Sequence, residues 1–166
     1  MDLKLKDRVA LVTGSGQGIG RTIALAYAAH GATVAVNDVN AEAAQETVAA
    51  IEAAGGRALA APCDITNLAA MRELARMIEG KCGRIDILVN NAAVLISHEM
   101  FVDTKPEECD KEIKVVLYGT MNCARAVLPG MIERKFGKMV NIVTDAARVG
   151  QERQCNYSAA KGGVIS

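Results

Sequence analysis

Two side chains near the end of the chain can do acid–base chemistry together. Tyr157 and Lys161 stand four apart in "NYSAAKGGVIS" (residues 156–166), which reads as the start of a helix. That spacing puts both on one helix face, about one turn apart. A free phenol has a pKa of about 10, too high for an efficient base at neutral pH. A neighbouring ammonium favours the phenolate and lowers that value. A phenol tuned in this way can give a proton to a carbonyl oxygen or take one from an alcohol. Thr144, 13 residues before the tyrosine, adds a hydroxyl that donates and accepts. Taken alone, each feature also has an ordinary reading: an exposed helix pair, and a strand-end threonine chosen for β propensity.

A second constellation lies far upstream. "TGSGQGIG" (residues 13–20) separates an apolar run from a helical one. Glycines at 14, 18 and 20 let the backbone turn sharply and approach a ligand closely, and Gly16 adds flexibility. The N–H groups at the helix start then point at an anion, which the helix dipole favours. Ser15, Gln17 and Ile19 complete the loop. The strand–loop–helix context is the one that a dinucleotide fingerprint demands. A glycine-rich turn without a ligand is the plain alternative.

Asp38 follows the second apolar run, 18 residues after Gly20. An acidic side chain there accepts hydrogen bonds from an adenosine ribose diol and repels a 2′-phosphate. Val39 comes next, and neither Ser15 nor Gln17 is cationic, so NAD(H) is expected over NADP(H). The other reading of Asp38 is a helix cap shared with Asn40. With a dinucleotide loop upstream, Tyr157, Lys161 and Thr144 read as an acid–base centre beside a nicotinamide that gives or takes hydride.

Short apolar runs alternate with longer amphipathic ones along the whole chain. Strands are expected over residues 9–13, 33–37, 57–64, 85–93 and 137–144. Helices are expected over 19–30, 41–56 and 67–83, with Asn67 as an N-cap and Gly55-Gly56 as a stop signal. A short helix and then a long one follow residue 104, with Pro129 near the end of the latter. Five strand–helix alternations imply a parallel sheet covered on both faces. Right-handed crossovers make it a doubly wound, Rossmann-like α/β fold. No linker or repeat divides residues 1–166, so one domain is expected.

Composition excludes several classes. Lys+Arg and Asp+Glu balance at 19 each, which gives no basic excess for nucleic acid or an anionic membrane. Aromatic residues make up 3%, too few for a base-stacking surface. The N-terminus lacks the apolar core of a signal peptide, and no later stretch looks long enough to span a bilayer. Five cysteines without C-x-x-C spacing read as reduced thiols in a cytoplasmic protein. No His/Asp/Glu cluster has metal-ligand spacing. His98 reads as a surface-loop residue, Cys155 as a structural thiol, and His30 as the end of the first helix.

Taken together, the sequence resembles the short-chain dehydrogenase/reductase family. The resemblance rests on "TGSGQGIG", "CDIT" (residues 63–66), "NNAA" (90–93), "VNIVTDAA" (140–147) and "YSAAK" (157–161), in the family's order and spacing. It implies that Asp64, with Ile65, meets the adenine ring. It also implies that Asn91 and Ala92 line the cofactor beside the central sheet, and that Lys161 reaches the nicotinamide ribose. "NNAA" departs from the usual "NNAG", and Thr144 replaces the usual serine. The family's fourth active-site residue is an asparagine in an N-L-x-G pattern. Here "VVLYG" puts Val116 in its slot, and valine cannot hold the water that the asparagine positions. Tyr118 and Asn122 are the nearby polar candidates to compensate, and Val116→Asn is expected to raise turnover.

The stretch "DAARVG" (145–150) is similar to family members that oxidise hydroxy-acyl-CoA or alicyclic hydroxy-acid derivatives. Asp145 and Arg148 could bind polar substrate groups or each other. Relatives normally continue past the Y-x-x-x-K helix with two more strands and a substrate loop. The sequence therefore reads as C-terminally incomplete, with an open strand edge after the fifth strand. The expected function is hydride transfer between NAD(H) and a small secondary alcohol or ketone, by a homo-oligomer (dimer or tetramer). Two alternatives stand beside it: a catalytically silent structural or regulatory subunit, and an NADPH-dependent 3-oxoacyl reductase, which Asp38 disfavours.

Overall fold

The computed structural model describes residues 3–166 of the 166-residue chain. Five four-residue strands form its centre: β1 (Val9–Val12), β2 (Thr33–Val36), β3 (Arg57–Ala60), β4 (Ile87–Asn90) and β5 (Lys138–Asn141). Their order is β3-β2-β1-β4-β5, and every pairing is parallel. Helices α1 (Gly18–Ala29), α2 (Ala41–Ala53), α3 (Leu68–Cys82), α4 (Pro106–Ile113) and α5 (Gly119–Glu133) make the crossovers. A single turn, α6 (Ala146–Val149), and α7 (Cys155–Ile165) follow β5.

Alternation along the central strands builds two cores. Val9 and Leu11 join Met71, Leu74, Ile78, Val127 and Met131 on the α3/α5 face. Ala10 and Val12 join Ala24, Ala28, Val48 and Ile51 on the α1/α2 face. A strand buried on both faces reads as a continuous apolar run, which is why "VALV" and "ILVN" carry no polar–apolar alternation. The strand order reverses between β1 and β4, and in such sheets ligands bind at the carboxyl ends of strands at that reversal.

The strands end earlier than the apolar runs suggest. Residues beyond Ala60 and Asn90 leave the sheet to line its carboxyl edge. Ladder-like bonds nonetheless persist there, from Ala61 N–H to the Val36 carbonyl and from Cys63 N–H to the Asp38 carbonyl. Asn67 caps α3 as expected, accepting from the Ala70 N–H at 3.1 Å. β5 is one of the sheet's two outer strands, exposed along its length, with Met139 and Val140 each 42% exposed.

The expectation about membrane-length stretches needs correction. α4 and α5 run on from each other through a π turn, Lys114–Tyr118, giving one helix of 28 residues. Its best 18-residue window has a mean hydropathy of 1.2, so by length and composition it could cross a bilayer. Apolar core helices pass the same test. Here α5 packs on α3 and contributes Cys123, Val127 and Met131 to the core.

Candidate active site

The glycine loop owes its shape to crowding. Gly14 has φ +60, and a Cβ there would meet the Ala92 Cα at 2.8 Å. Gly18 has φ +56 and opens α1. At Gly20 a Cβ would strike the Gly14 carbonyl and the Asn91 side chain, so only glycine lets the helix start press against the turn. Gly16 was expected to lend flexibility. Instead its N–H donates to Asp38 Oδ2 at 3.0 Å, and its missing Cβ leaves room for Asp38 and Ala43.

Thr13, which carries no expected role of its own in the motif, ties this loop to β4. Its hydroxyl accepts from the N–H groups of Asn91 (3.0 Å) and Ala92 (3.1 Å) and donates to the Val89 carbonyl. The Asn91 side chain returns two bonds, to the carbonyls of Thr13 and Gly14, both 3.0 Å. Ser15 turns inward, fully buried, and donates to the Val12 carbonyl at 2.7 Å. Its side chain is therefore a brace of the turn and not part of the cavity wall.

A cleft of about 910 Å³ opens above this junction. Gly14, Gln17, Ile19, Asp38, Asp64, Ile65, Asn91 and Ala92 line it, and so do Thr144, Tyr157 and Lys161. Ser15, Gly18 and Gly20 stand behind the lining. Asp38 both faces the cleft and braces the backbone: Oδ2 takes the Gly16 N–H, and Oδ1 takes the Asn40 N–H at 3.0 Å. The helix-cap role belongs to Asn40, which accepts from Glu42 and Ala43. Asp64 similarly holds the Thr66 N–H at 2.8 Å. Asn37 donates to the Ala61 and Cys63 carbonyls, while its buried Oδ1 has no partner among the described residues.

These residues fit a dinucleotide. A Cβ at Gly18 would meet no protein atom within 4 Å, so the start of α1 is open to a ligand, and an unmatched acceptor, Asn37 Oδ1, belongs to a residue of the cleft wall.

At the other end, α7 carries Tyr157 and Lys161, and the segment after β5 carries Thr144. Lys161 is buried, and its Nζ donates to the Ile142 carbonyl at 2.6 Å while lying 5.8 Å from the Tyr157 ring centre. Burial pushes the Lys161 pKa down. The expected lowering of Tyr157 by its lysine is not what the structure supports. Burial, and then the negative charge of Glu112, push the phenol up. The lysine proton is directed at a carbonyl, and the phenol feels desolvation more strongly. The Thr144 hydroxyl accepts from the Ala146 N–H at 3.3 Å.

Val116 lies inside the π turn and is fully buried, and its carbonyl accepts the Thr120 hydroxyl at 2.8 Å. Neither suggested substitute for the asparagine lines the cleft. Tyr118 is 55% exposed, and Asn122 spends its amide on the carbonyls of Ile65 and Thr66. His98 and Cys155 are exposed and outside the cleft lining, and His30 ends α1. Asp145 and Arg148 make no ion pair with each other. The sequence reading passed over Lys111, Lys114 and Glu112. The first two line the cleft, and the third is buried beside it. The signal available for Glu112 was a carboxylate on the apolar stripe Cys109–Glu112–Val116. Among the described residues no group of three His, Cys, Asp or Glu could hold a metal, and the five cysteines are free thiols.

Known proteins share this chain's sequence pattern and fold. The family model for short chain dehydrogenases matches residues 8–166. The chain is 42% identical over 163 residues to the (2S)-[(R)-hydroxy(phenyl)methyl]succinyl-CoA dehydrogenase subunit BbsD of Thauera aromatica, covering 97% of this chain and 64% of that one. It is 40% identical over 162 residues to a 3-oxoacyl-[acyl-carrier-protein] reductase of Synechocystis sp., covering 97% and 65%. The solved structure of an NAD+-bound xylitol dehydrogenase superposes with a TM-score of 0.95 at 29% identity, covering 98% of this chain and 62% of that one. The chain thus spans a little under two thirds of each of these three proteins. From the glycine loop to the Y-x-x-x-K helix, by fold and by sequence, this chain belongs to the short-chain dehydrogenase family.

Proposed function

We propose that the chain is the nucleotide-binding and acid–base part of an NAD(H)-preferring oxidoreductase that interconverts a secondary alcohol and a ketone. The carrying observation is that Thr144, Tyr157 and Lys161 line the same cleft as Gly14, Asp38 and Asp64. When bound, a nicotinamide dinucleotide supplies the hydride donor or acceptor. Tyr157 gives its phenolic proton to the substrate oxygen in reduction, or takes the alcohol proton in oxidation. The Thr144 hydroxyl hydrogen-bonds the same oxygen and orients it. Lys161 offers its remaining ammonium protons to ribose hydroxyls and its charge to a developing phenolate. Asp38 accepts from the adenosine ribose, and Asp64 and Ile65 flank the adenine. Gln17, Ile19, Asn91 and Ala92 line the path between. Gly18 and Gly20 bring the α1 N–H groups to the pyrophosphate.

The substrate class that this reading favours is a hydroxy-acyl-CoA or alicyclic hydroxy-acid derivative, in line with the name of the Thauera relative. Residues 1–166 act as one domain of a cytoplasmic homo-oligomer, with Tyr118, Met121, Leu128 and Ile132 of the exposed π-turn and α5 surface as the pairing face. A silent structural subunit is the second reading. It is favoured by the fully buried Val116 in the asparagine slot and by a phenol pushed up instead of down.

Fluorescence titration with NADH and NADPH tests the cofactor assignment. NADH should bind at least about tenfold tighter, because a 2′-phosphate would meet the Asp38 carboxylate. Asp38→Ser should narrow or reverse that ratio. Tighter NADPH binding by the unaltered protein would instead support the 3-oxoacyl reductase reading.

A further inference from the structure

Asn122 is out of character for its place in the fold. It is 9% exposed, on a face of α5 whose other buried members include Cys123 and Val127. Asparagine is a weak helix former, and a buried amide is costly unless its hydrogen-bonding groups are matched. A leucine would serve both helix and core better. The match comes from outside the helix. Asn122 Nδ2 donates to the Ile65 carbonyl at 3.0 Å and to the Thr66 carbonyl at 3.1 Å. Gly119, three residues earlier on the same helix face, makes room for that turn. A Cβ at Gly119 would overlap the Ile65 side chain. The two α5 residues thus seat Ile65 by its side chain and by its carbonyl.

We propose that Asn122 is a positioning residue for the adenosine end of the cleft: with Gly119 it docks the Asp64–Thr66 turn on α5 and so fixes the wall against which an adenine base rests. Asp64, Ile65 and Thr66 all line the cleft, whereas Asn122 and Gly119 stand behind the lining. The bonds within the turn shape it without anchoring it. They run from the Thr66 N–H to Asp64 Oδ1 and from the Asn67 N–H to the Asp64 carbonyl. Upstream, Cys63 is tied to the end of β2, its N–H to the Asp38 carbonyl and its own carbonyl to the Asn37 amide. Asn122 supplies the matching tie downstream, from another element. The effect is confined to one end of the cleft. Tyr157 and Lys161 stand on α7, and their wall does not depend on the Asp64–Thr66 turn. Losing the two amide bonds should therefore loosen the adenosine half of the site and leave the nicotinamide half as it was.

This inference rests on the proposed dinucleotide reading, and its test separates the two. 5′-AMP and nicotinamide mononucleotide each carry one half of the dinucleotide, and NMR titration measures the affinity of both. Asn122→Leu keeps the approximate size of the side chain and removes the donor, and Asn122→Ala is the second variant. In either, AMP affinity should fall at least about fivefold, the effect of losing about one hydrogen bond. Affinity for the mononucleotide should stay unchanged. Equal weakening of both probes would make Asn122 a general scaffold residue and overturn the proposal. Unchanged AMP affinity in a folded variant overturns it too. If neither variant folds, the Asn122 side-chain amide signals of the unaltered protein decide. They should shift with AMP and stay in place with the mononucleotide, and unmoved signals with AMP bound refute the proposal. An unaltered protein that binds neither AMP nor NADH would refute the dinucleotide reading itself, and this inference with it.

Discussion

Thr13→Val is the substitution that most sharply separates hydrogen bonding from packing in this fold. Valine keeps the shape of threonine and replaces its hydroxyl by a methyl group. In the structure that hydroxyl accepts from two N–H groups, Asn91 and Ala92, and donates to a third partner at 3.3 Å. Thr13 is itself buried, while the two amides are half-buried. Leaving a buried donor unmatched costs about 1–3 kcal/mol. Two half-buried donors, discounted for partial access to water, give a loss of about 2–3 kcal/mol. With a urea dependence of about 2 kcal/mol per molar, the unfolding midpoint should fall by roughly 1–1.5 M. Thr13→Ser keeps the hydroxyl and loses one methyl, for about 1 kcal/mol. If packing alone mattered, the isosteric valine would be the milder change. The hydrogen bonds predict the reverse order. Urea unfolding followed by circular dichroism reads both variants. A Thr13→Val midpoint equal to or above that of Thr13→Ser would refute the claim that this hydroxyl pins β4 to the glycine loop.

Other outcomes follow from particular groups. Burial pushes the Cys123 thiol from 9.0 to about 12. The unfolded chain therefore loses that proton first, so the contribution is full below about pH 9 and is lost as pH rises toward 12. The loss amounts to at most about 4 kcal/mol, and Cys123→Ala should flatten that part of the stability–pH curve. Val116→Asn puts an amide into a fully closed apolar position, against the sequence-based expectation of a gain. A melting temperature lower by about 4–8 °C is expected, for a cost of about 2 kcal/mol, with no rise in turnover. A stable variant with faster turnover would show that the site lacks only that amide.

Much of the fold was legible because its strands are buried on both faces. "VALV", "TVAV" and "ILVN" are strong apolar runs between capped or glycine-terminated helices, and the alternation fixes a parallel sheet. Strand ends were less legible. "RALAAPCD" stays apolar beyond Ala60, but its later residues leave the sheet for the cleft. The π turn at Lys114–Tyr118 has no sequence signal apart from tertiary packing, so two helices were expected where one continuous helix runs. The residues brought together at the cleft were readable from motif spacing. Their supports were not. Thr13, Asn37 and Glu112 act through contacts with segments distant in sequence, such as Thr13 with Asn91 or Asn37 with Cys63. The direction of the Tyr157 shift was misread for the same reason. A neighbour at i+4 is visible in the sequence, whereas the burial of the phenol, and after it a glutamate on another helix, are not.

The most direct test is NADH formation from NAD+ by the protein with a panel of secondary alcohols and hydroxyacyl thioesters, compared with its Tyr157→Phe variant. The account predicts measurable turnover, and a loss of at least about a hundredfold in kcat for Tyr157→Phe with NADH binding unchanged. Equal turnover in both proteins would contradict the role of Tyr157. NADH binding without turnover of any substrate in either protein would contradict the enzyme and leave the silent subunit standing.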